Sequence, residues 1–240
     1  RNLFAAATRD DVISLSGGMP AVSLLPEEDI RRATLAAIES PEARAVSLQY
    51  GPTDGLAGLR AVLADMMRDL GIRVKATGAQ QALTLIAEAF IDPDDIIITE
   101  GPTYLGALQA FSAFEPDVRA IPFDEDGMRM DLLEEELKRI GKDNPRLKFC
   151  YTIPNFQNPG GVTMTAERRR RLLELAHEYN FMVVEDDPYG RLRYDGGHQV
   201  PLKAMDDSVI YLGTISKMLG PGLRTGWIAA PEAVLARINL

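Results

Sequence analysis

The sequence predicts an α/β protein, a mostly parallel sheet sandwiched by helices. Two observations carry that prediction. Apolar runs of strand length alternate along the chain with helix-length amphipathic patterns, the signature of βαβ units. The apolar runs also lack strict alternation of apolar and polar residues, as strands buried on both faces do.

In chain order, two helices are expected first, over residues 26–39 and 55–70, with Pro26 suited to a first helical turn. The turn Thr77-Gly78-Ala79-Gln80-Gln81 opens a third helix, over 79–90. Strands are expected at 96–99 and 118–122, then a helix over 131–140 and a strand over 147–153. Thr165 is an N-cap residue type ahead of a helix over 165–179, whose apolar positions are Leu172, Leu173, Leu175 and Ala176. The run Arg168 to Arg171 then reads as a solvated face of that helix rather than a targeting or nucleic-acid patch. Strands at 181–184, 209–212 and 227–230 complete the pattern, and no internal repeat, low-complexity tract or long linker interrupts it.

Composition narrows the function classes. With 240 residues, 46% of them hydrophobic and 25% charged, the chain is long enough for one large domain with a substantial core. A formal net charge of -9 gives the surface a field that repels phosphate backbones, so nucleic acid is not an expected partner. Cys150 is the single cysteine and lies in the apolar run Phe149-Cys150-Tyr151, which predicts a buried, inert thiol in a reducing compartment. No stretch approaches the roughly 18 apolar residues of a membrane span, and the first residues do not lead into a signal peptide; the expectation is a cytoplasmic protein with no membrane partner. His177 and His198, the two histidines, stand far apart without acids or cysteine at ligand spacing, so no metal site is expected.

In open α/β sheets a ligand sits outside the carboxyl ends of the strands, and four places there are polar. Pro154-Asn155-Phe156-Gln157-Asn158-Pro159-Gly160-Gly161 follows one apolar run, and Glu185-Asp186-Asp187-Pro188-Tyr189-Gly190 follows the next. Gly213-Thr214-Ile215-Ser216-Lys217 follows a third, and Thr77-Gly78-Ala79-Gln80-Gln81 precedes a helix. Each has an ordinary reading alone: a turn, an N-cap acid, a surface lysine, a glycine turn. Their order is what points to chemistry.

The set resembles the class I/II aminotransferases among the fold-type I pyridoxal-phosphate enzymes, and within them the aminoadipate/kynurenine and multi-substrate prokaryotic branch. The likeness runs from Ile13-Ser14-Leu15-Ser16-Gly17-Gly18-Met19-Pro20 onward, through Asn158, the Asp186 and Tyr189 pair, Ser216-Lys217 and Arg224 in Gly222-Leu223-Arg224-Thr225-Gly226-Trp227. The resemblance implies pyridoxal 5′-phosphate as cofactor, with Lys217 forming the Schiff base to its aldehyde and then moving a proton between the substrate α-carbon and the cofactor. It implies that Asp186 keeps the pyridine nitrogen protonated, that Asn158 and Tyr189 hydrogen-bond the phenolic oxygen, and that Tyr104 stacks on the ring. Gly78, Ala79 and Gln80, with Thr214 and Arg224, are the implied phosphate-side residues, Ser216 beside Lys217 is an implied cofactor-binding residue, and Asp187 has no implied role. Family members are dimers that share the site, and Tyr50 matches the tyrosine that crosses to the partner's phosphate, so a homodimer is implied.

The implied domain plan is an N-terminal segment over residues 1–40 and a cofactor-binding large domain over 41–240, with the small C-terminal domain lying outside the sequence. Lys75 and Ala76 alone join Gly71-Ile72-Arg73-Val74 to the Thr77 turn, where relatives carry an acidic turn and a strand. The implied reaction is transamination from an aromatic, branched or aminoadipate-like amino acid to a 2-oxo acid. A β-lyase or decarboxylase on the same fold, or the effector domain of a transcription regulator, is the alternative, since fold does not fix reaction.

Overall fold

Strands β2 (Ile96–Gly101), β5 (Leu147–Thr152), β6 (Met182–Asp186) and β7 (Ile210–Thr214) are buried along almost their whole length. Strands apolar on both faces need helices above and below them, and the structure supplies both layers. It is a computed structural model that describes residues 9, 11–13, 20–72, 77–78 and 82–239.

The sheet has eight strands in the order β1 (Thr77–Gly78), β8 (Gly226–Ala229), β7, β6, β5, β2, β3 (Asp117–Asp124), β4 (Gly127–Met128). The central pairings, β7 with β6, β6 with β5, β5 with β2 and β2 with β3, are all parallel. β8 runs antiparallel to β7 and to β1, and β4 antiparallel to β3. The expected α/β class with a mostly parallel sheet is what forms; β8 and β4 are the strands whose direction departs from it.

Alternation along each strand sends neighbouring residues to opposite layers. Ile96, Ile98, Val183 and Val209 pack against α6 (Met130–Ile140), α7 (Ala166–Tyr179) and α8 (Leu202–Met205) through Leu133, Leu137, Leu172 and Leu202. Ile97, Phe149, Val184 and Ile210 face the other way, onto α4 (Ala82–Phe90), α5 (Leu105–Ser112) and α9 (Glu232–Ile238) through Ile86, Ala107, Phe111 and Val234. α3 (Ala57–Arg68) sets Leu63 and Met67 against Tyr211, Trp227 and Ala229. Cys150 is fully buried, and that burial pushes its thiol up, as an inert core cysteine requires.

Several details correct the sequence reading. Pro26 is the N-cap of α1 (Glu27–Glu39), one residue outside the helix, and the first turn is carried by Glu27, Glu28 and Asp29, whose charges suit the dipole. Thr77–Gly78 is a short strand rather than a turn, with Gly78 paired to Trp227, and the next helix is described from Ala82. Helices α2 (Pro41–Ser47), α5, α8 and α9 were not expected. Thr165 does cap α7, accepting from Arg168 N at 3.5 Å, but the arginine run is not a uniform solvated face. Arg169 is 1% exposed, and Arg168 forks onto Asp124 at 2.5 and 2.9 Å, tying α7 to the β3–β4 hairpin. Of the four, Arg170 is the exposed one, since Arg171 pairs with Glu134 and Glu174 at 2.8 and 3.0 Å. Among the described residues no helix is long and apolar enough to cross a membrane.

Candidate active site

The carboxyl ends of β2, β5, β6 and β7 lie side by side because these strands run parallel, so the loops that follow them meet at one edge of the sheet. Three of the four polar segments singled out in the sequence follow these strands, and the structure joins them through side chains.

Beneath the site lies a buried polar layer. Glu100, at the end of β2 and 2% exposed, accepts from Thr152 Oγ1 at 2.5 Å, Ile153 N at 3.1 Å and Gln157 Nε2 at 3.3 Å. Burial still pushes its carboxyl up. Gln157 also donates to Pro102 O at 2.9 Å and accepts from Gly160 N at 2.7 Å, so one side chain fixes the 154–161 loop to the segment that carries Tyr104.

A second part of the layer holds the loop after β6. Asp187 accepts from Asn155 Nδ2 and Gly190 N, each at 2.9 Å, and from Tyr211 Oη at 3.0 Å. A side chain on Gly190 would collide with the Asp187 carboxylate, so the Asp-Pro-Tyr-Gly turn requires glycine there. Asn155 is held in turn by Arg169 at 2.8 Å, and Arg169 also donates to Pro154 O, Met164 O and Val200 O at 2.9, 3.0 and 3.2 Å. Glu100, Gln157, Asn155, Asp187 and Arg169 are the residues sequence reasoning passed over. For Glu100 the available signal was a charge closing the apolar run of β2.

Above this layer stand the predicted site residues. Asp186 ends β6 and accepts from Tyr151 Oη at 2.7 Å. It keeps some contact with solvent, yet the protein atoms packed around it push its carboxyl up to about 6; the Tyr151 bond opposes that rise and the charge of Asp187 adds to it. Asn158 Nδ2 donates to Tyr189 Oη at 3.3 Å, and the Lys217 ammonium lies 6.0 Å from the centre of the Tyr189 ring. The Tyr189 hydroxyl is pushed up chiefly by burial, with smaller contributions from the charges of Asp186 and Tyr104.

The turn after β7 is tied by Thr214. Its Oγ1 donates to Thr225 O at 3.0 Å and accepts from Ser216 N at 3.1 Å, with Ser216 Oγ 2.9 Å away. This clamps the segment entering Lys217 to the turn that precedes β8 and carries Arg224, whose backbone is left-handed (φ 51) and whose guanidinium is exposed. Tyr50 is 99% exposed and meets none of these groups. Gly78 sits in β1 beside β8, while Ala79 and Gln80 lie outside the described residues, as does most of the Ile13–Pro20 segment.

The site therefore presents a carboxylate, a phenol–amide pair, a lysine and a hydroxyl-rich turn around one edge of the sheet. The family model for aminotransferase class I and II matches residues 10–240. Aromatic-amino-acid aminotransferase 1 of Thermococcus litoralis is 49% identical over 100% of this chain and 59% of its own length. The crystal structure of a multiple substrate aminotransferase from Thermococcus profundus superposes with a TM-score of 0.92 at 45% identity, covering 100% of this chain and 61% of that one. LysN, an α-aminoadipate aminotransferase from Thermus thermophilus complexed with N-(5′-phosphopyridoxyl)-L-leucine, matches with a TM-score of 0.85 at 36% identity, over 100% of this chain and 63% of that one. The chain thus spans 59–63% of the length of these relatives. On its fold, its site and these matches, the chain belongs to the class I and II aminotransferase family.

Proposed function

We propose that the chain is the cofactor-binding part of a pyridoxal-phosphate-dependent transaminase, which moves an amino group from an aromatic, branched or aminoadipate-like amino acid to a 2-oxo acid. The observation that carries this reading is the grouping of Asp186, Asn158, Tyr189 and Lys217 at the carboxyl ends of adjacent parallel strands. Within it, residues 41–240 are the cofactor-binding large domain and 1–40 an N-terminal segment.

The donor set fits that cofactor. A carboxylate has two oxygens, and the Tyr151 phenol engages Oδ2 of Asp186, which leaves Oδ1 to accept from a cationic ring N–H. A charge-assisted bond of that kind contributes roughly 1.5–3 kcal/mol. Asn158 and Tyr189 are already paired and offer an amide and a phenol to one anionic oxygen. Tyr104 is 40% exposed and is the aromatic ring proposed to stack on the cofactor. The hydroxyls of Thr214 and Ser216, the guanidinium of Arg224 and the Gly78, Ala79 and Gln80 backbone are the residues that would hold a phosphate. When bound, pyridoxal phosphate supplies an electron sink for the substrate α-carbon. Lys217 is the group that anchors it and then carries the proton to and from that carbon.

A homodimer completes the site on this reading. Leu35, Ile38, Val46, Leu48 and Tyr50 are exposed along and after α1 and α2, an apolar surface suited to a second copy, and Tyr50 is the residue that would cross to the partner's phosphate side. The reading is tested by the absorption spectrum of the purified full-length protein before and after borohydride. A near-visible band that borohydride removes while attaching the cofactor covalently, and that Lys217→Ala lacks, supports it. Transfer of the amino group to a 2-oxo acid, rather than release of ammonia or carbon dioxide, separates transamination from the lyase and decarboxylase reactions.

A further inference from the structure

Tyr151 and Asp186 stand on neighbouring parallel strands, with Tyr151 opposite Val184 in the register. The pleat brings every second residue to the same face, so Asp186 lies on the face of Tyr151, one step along the diagonal. A phenol is long enough to span that diagonal, and its hydroxyl reaches Asp186 Oδ2 at 2.7 Å. The ring has no freedom to leave. Tyr151 is 0% exposed, the Phe111 ring meets it edge-on at 5.5 Å and 79°, and Phe149 braces Phe111 at 5.5 Å and 67°.

The surroundings otherwise disfavour a charged Asp186. Asp187 follows directly in the chain and its charge raises the proton affinity of Asp186, while Asp186 in turn raises that of Glu100 at the end of β2. Tyr104 and Tyr189 bring phenols, and Lys217 brings a cation 6.0 Å from the Tyr189 ring centre. A buried O–H donor aimed at one carboxylate oxygen favours the ionised form and fixes which oxygen remains for another partner.

We infer that Tyr151 is a positioning residue of the proposed reaction: its hydroxyl keeps Asp186 ionised and turned so that Oδ1 meets the cofactor ring nitrogen. The inference rests on the role proposed for Asp186. Without the hydroxyl, Asp186 is a stronger base and holds a proton on the ring nitrogen less firmly. A ring without that positive charge withdraws fewer electrons, so the lysine-linked nitrogen binds its own proton more tightly.

The experiment is a pH titration of the near-visible band of the full-length, cofactor-loaded protein, in four forms: wild type, Tyr151→Phe, 3-fluorotyrosine at position 151, and Phe149→Leu. Tyr151→Phe is expected to raise the midpoint by at least about half a pH unit, the size of shift that one lost hydrogen bond to a charged group gives. It is also expected to lower kcat on the order of tenfold with KM within about threefold, as for an interaction used after substrate binds. Fluorotyrosine keeps the shape and strengthens the donor, so its midpoint moves the opposite way, and it decides the question if Tyr151→Phe does not fold. Phe149→Leu loosens the same cluster without touching either oxygen and leaves the midpoint in place.

Midpoints for both position-151 variants within about 0.2 unit of wild type, far below the hydrogen-bond shift, overturn the inference alone. A Phe149→Leu shift as large as that of Tyr151→Phe assigns the effect to packing and also overturns it. A wild type without a borohydride-sensitive band removes the proposed function, and the inference with it.

Discussion

Tyr211 Oη donates to Asp187 Oδ2 at 3.0 Å, on the opposite face of the sheet from the bond between Tyr151 and Asp186. The two consecutive acids at the end of β6 are thus each held by a tyrosine from a neighbouring strand, β7 for one and β5 for the other. Period-two alternation makes this division: one acid faces the cluster assigned to the cofactor, and the other turns down to hold the loop.

Asp187→Ala is expected to destabilise the protein by on the order of 3 kcal/mol, because Tyr211 Oη, Asn155 Nδ2 and Gly190 N lose their acceptor together in a buried layer. Asp187→Asn keeps an acceptor oxygen toward Asn155 and Gly190, and the Tyr211 hydroxyl is free to rotate and accept from the new amide. Its expected cost is about 1 kcal/mol. Urea denaturation of the two variants checks the difference; equal costs would show that the charge itself, not the acceptor geometry, holds the loop.

Gly213 is the last residue before Thr214, and a Cβ there would fall within the indole of the buried Trp227. Gly213→Ala is expected to cost about 1–3 kcal/mol as an overpacked core site and to weaken borohydride-detectable cofactor loading, since β7 leads directly into the Thr214–Lys217 turn. Trp227→Phe in the same chain relieves part of the clash, so the double variant is expected to be more stable than the sum of the single effects predicts. Additive losses would mean that the strand yields rather than the indole.

How much of this was legible depends on what each residue's signal was. The core strands were readable because burial on both faces leaves unbroken apolar runs, and the chemistry-bearing loops were readable because they follow those runs. Direction was not: the apolar run at Trp227 looks the same whether β8 runs parallel or antiparallel to β7. Arg169 shows a conflict between two signals. Its place in a block of four arginines pointed to solvent, while its spacing of 3, 4 and 7 residues from Leu172, Leu173 and Ala176 placed it on the apolar stripe. Periodicity prevailed because a guanidinium can be buried when every donor finds a carbonyl. Asp187 gave no signal of its own, since the structural acid and the acid assigned to the cofactor are adjacent and differ only in which face they take.

Arg169→Leu follows from that burial. The substitution keeps the apolar stripe of α7 but removes donors to Pro154 O, Met164 O, Val200 O and Asn155 Oδ1, and takes away the cation 3.8 Å from Glu185. Above about pH 7, where Glu185 has lost its proton, leaving that buried carboxylate without its counter-ion costs about 3–5 kcal/mol. Because Asn155 also loses its brace, cofactor loading is expected to fall at temperatures where the variant is still folded. A variant that unfolds early yet loads normally below its Tm would show that Arg169 supports the domain without supporting the loop.

Glu185 makes the stability of the fold depend on pH in a direction that can be worked out. The side chain is 0% exposed and accepts from Leu202 N at 2.9 Å and Lys203 N at 2.8 Å. Burial and the neighbouring Asp187 charge outweigh these bonds and the Arg169 guanidinium, and push its carboxyl up to about 7. In the unfolded chain a glutamate titrates near ~4.3. Between those two values the folded protein holds a proton that the unfolded chain has released, so the unfolding free energy falls as pH rises. The contribution is fully present below the unfolded value and is lost by about pH 7, a change on the order of 3 kcal/mol. Glu185→Gln has no proton to release there, so its denaturation midpoints in urea, measured at unit steps across that window, are expected to change less with pH than those of the wild type. Some slope remains, because Asp186 is also raised, to about 6, and acts with the same sign. Identical slopes in the two proteins would mean that Arg169 keeps Glu185 ionised throughout the window, with its carboxyl in the ordinary range.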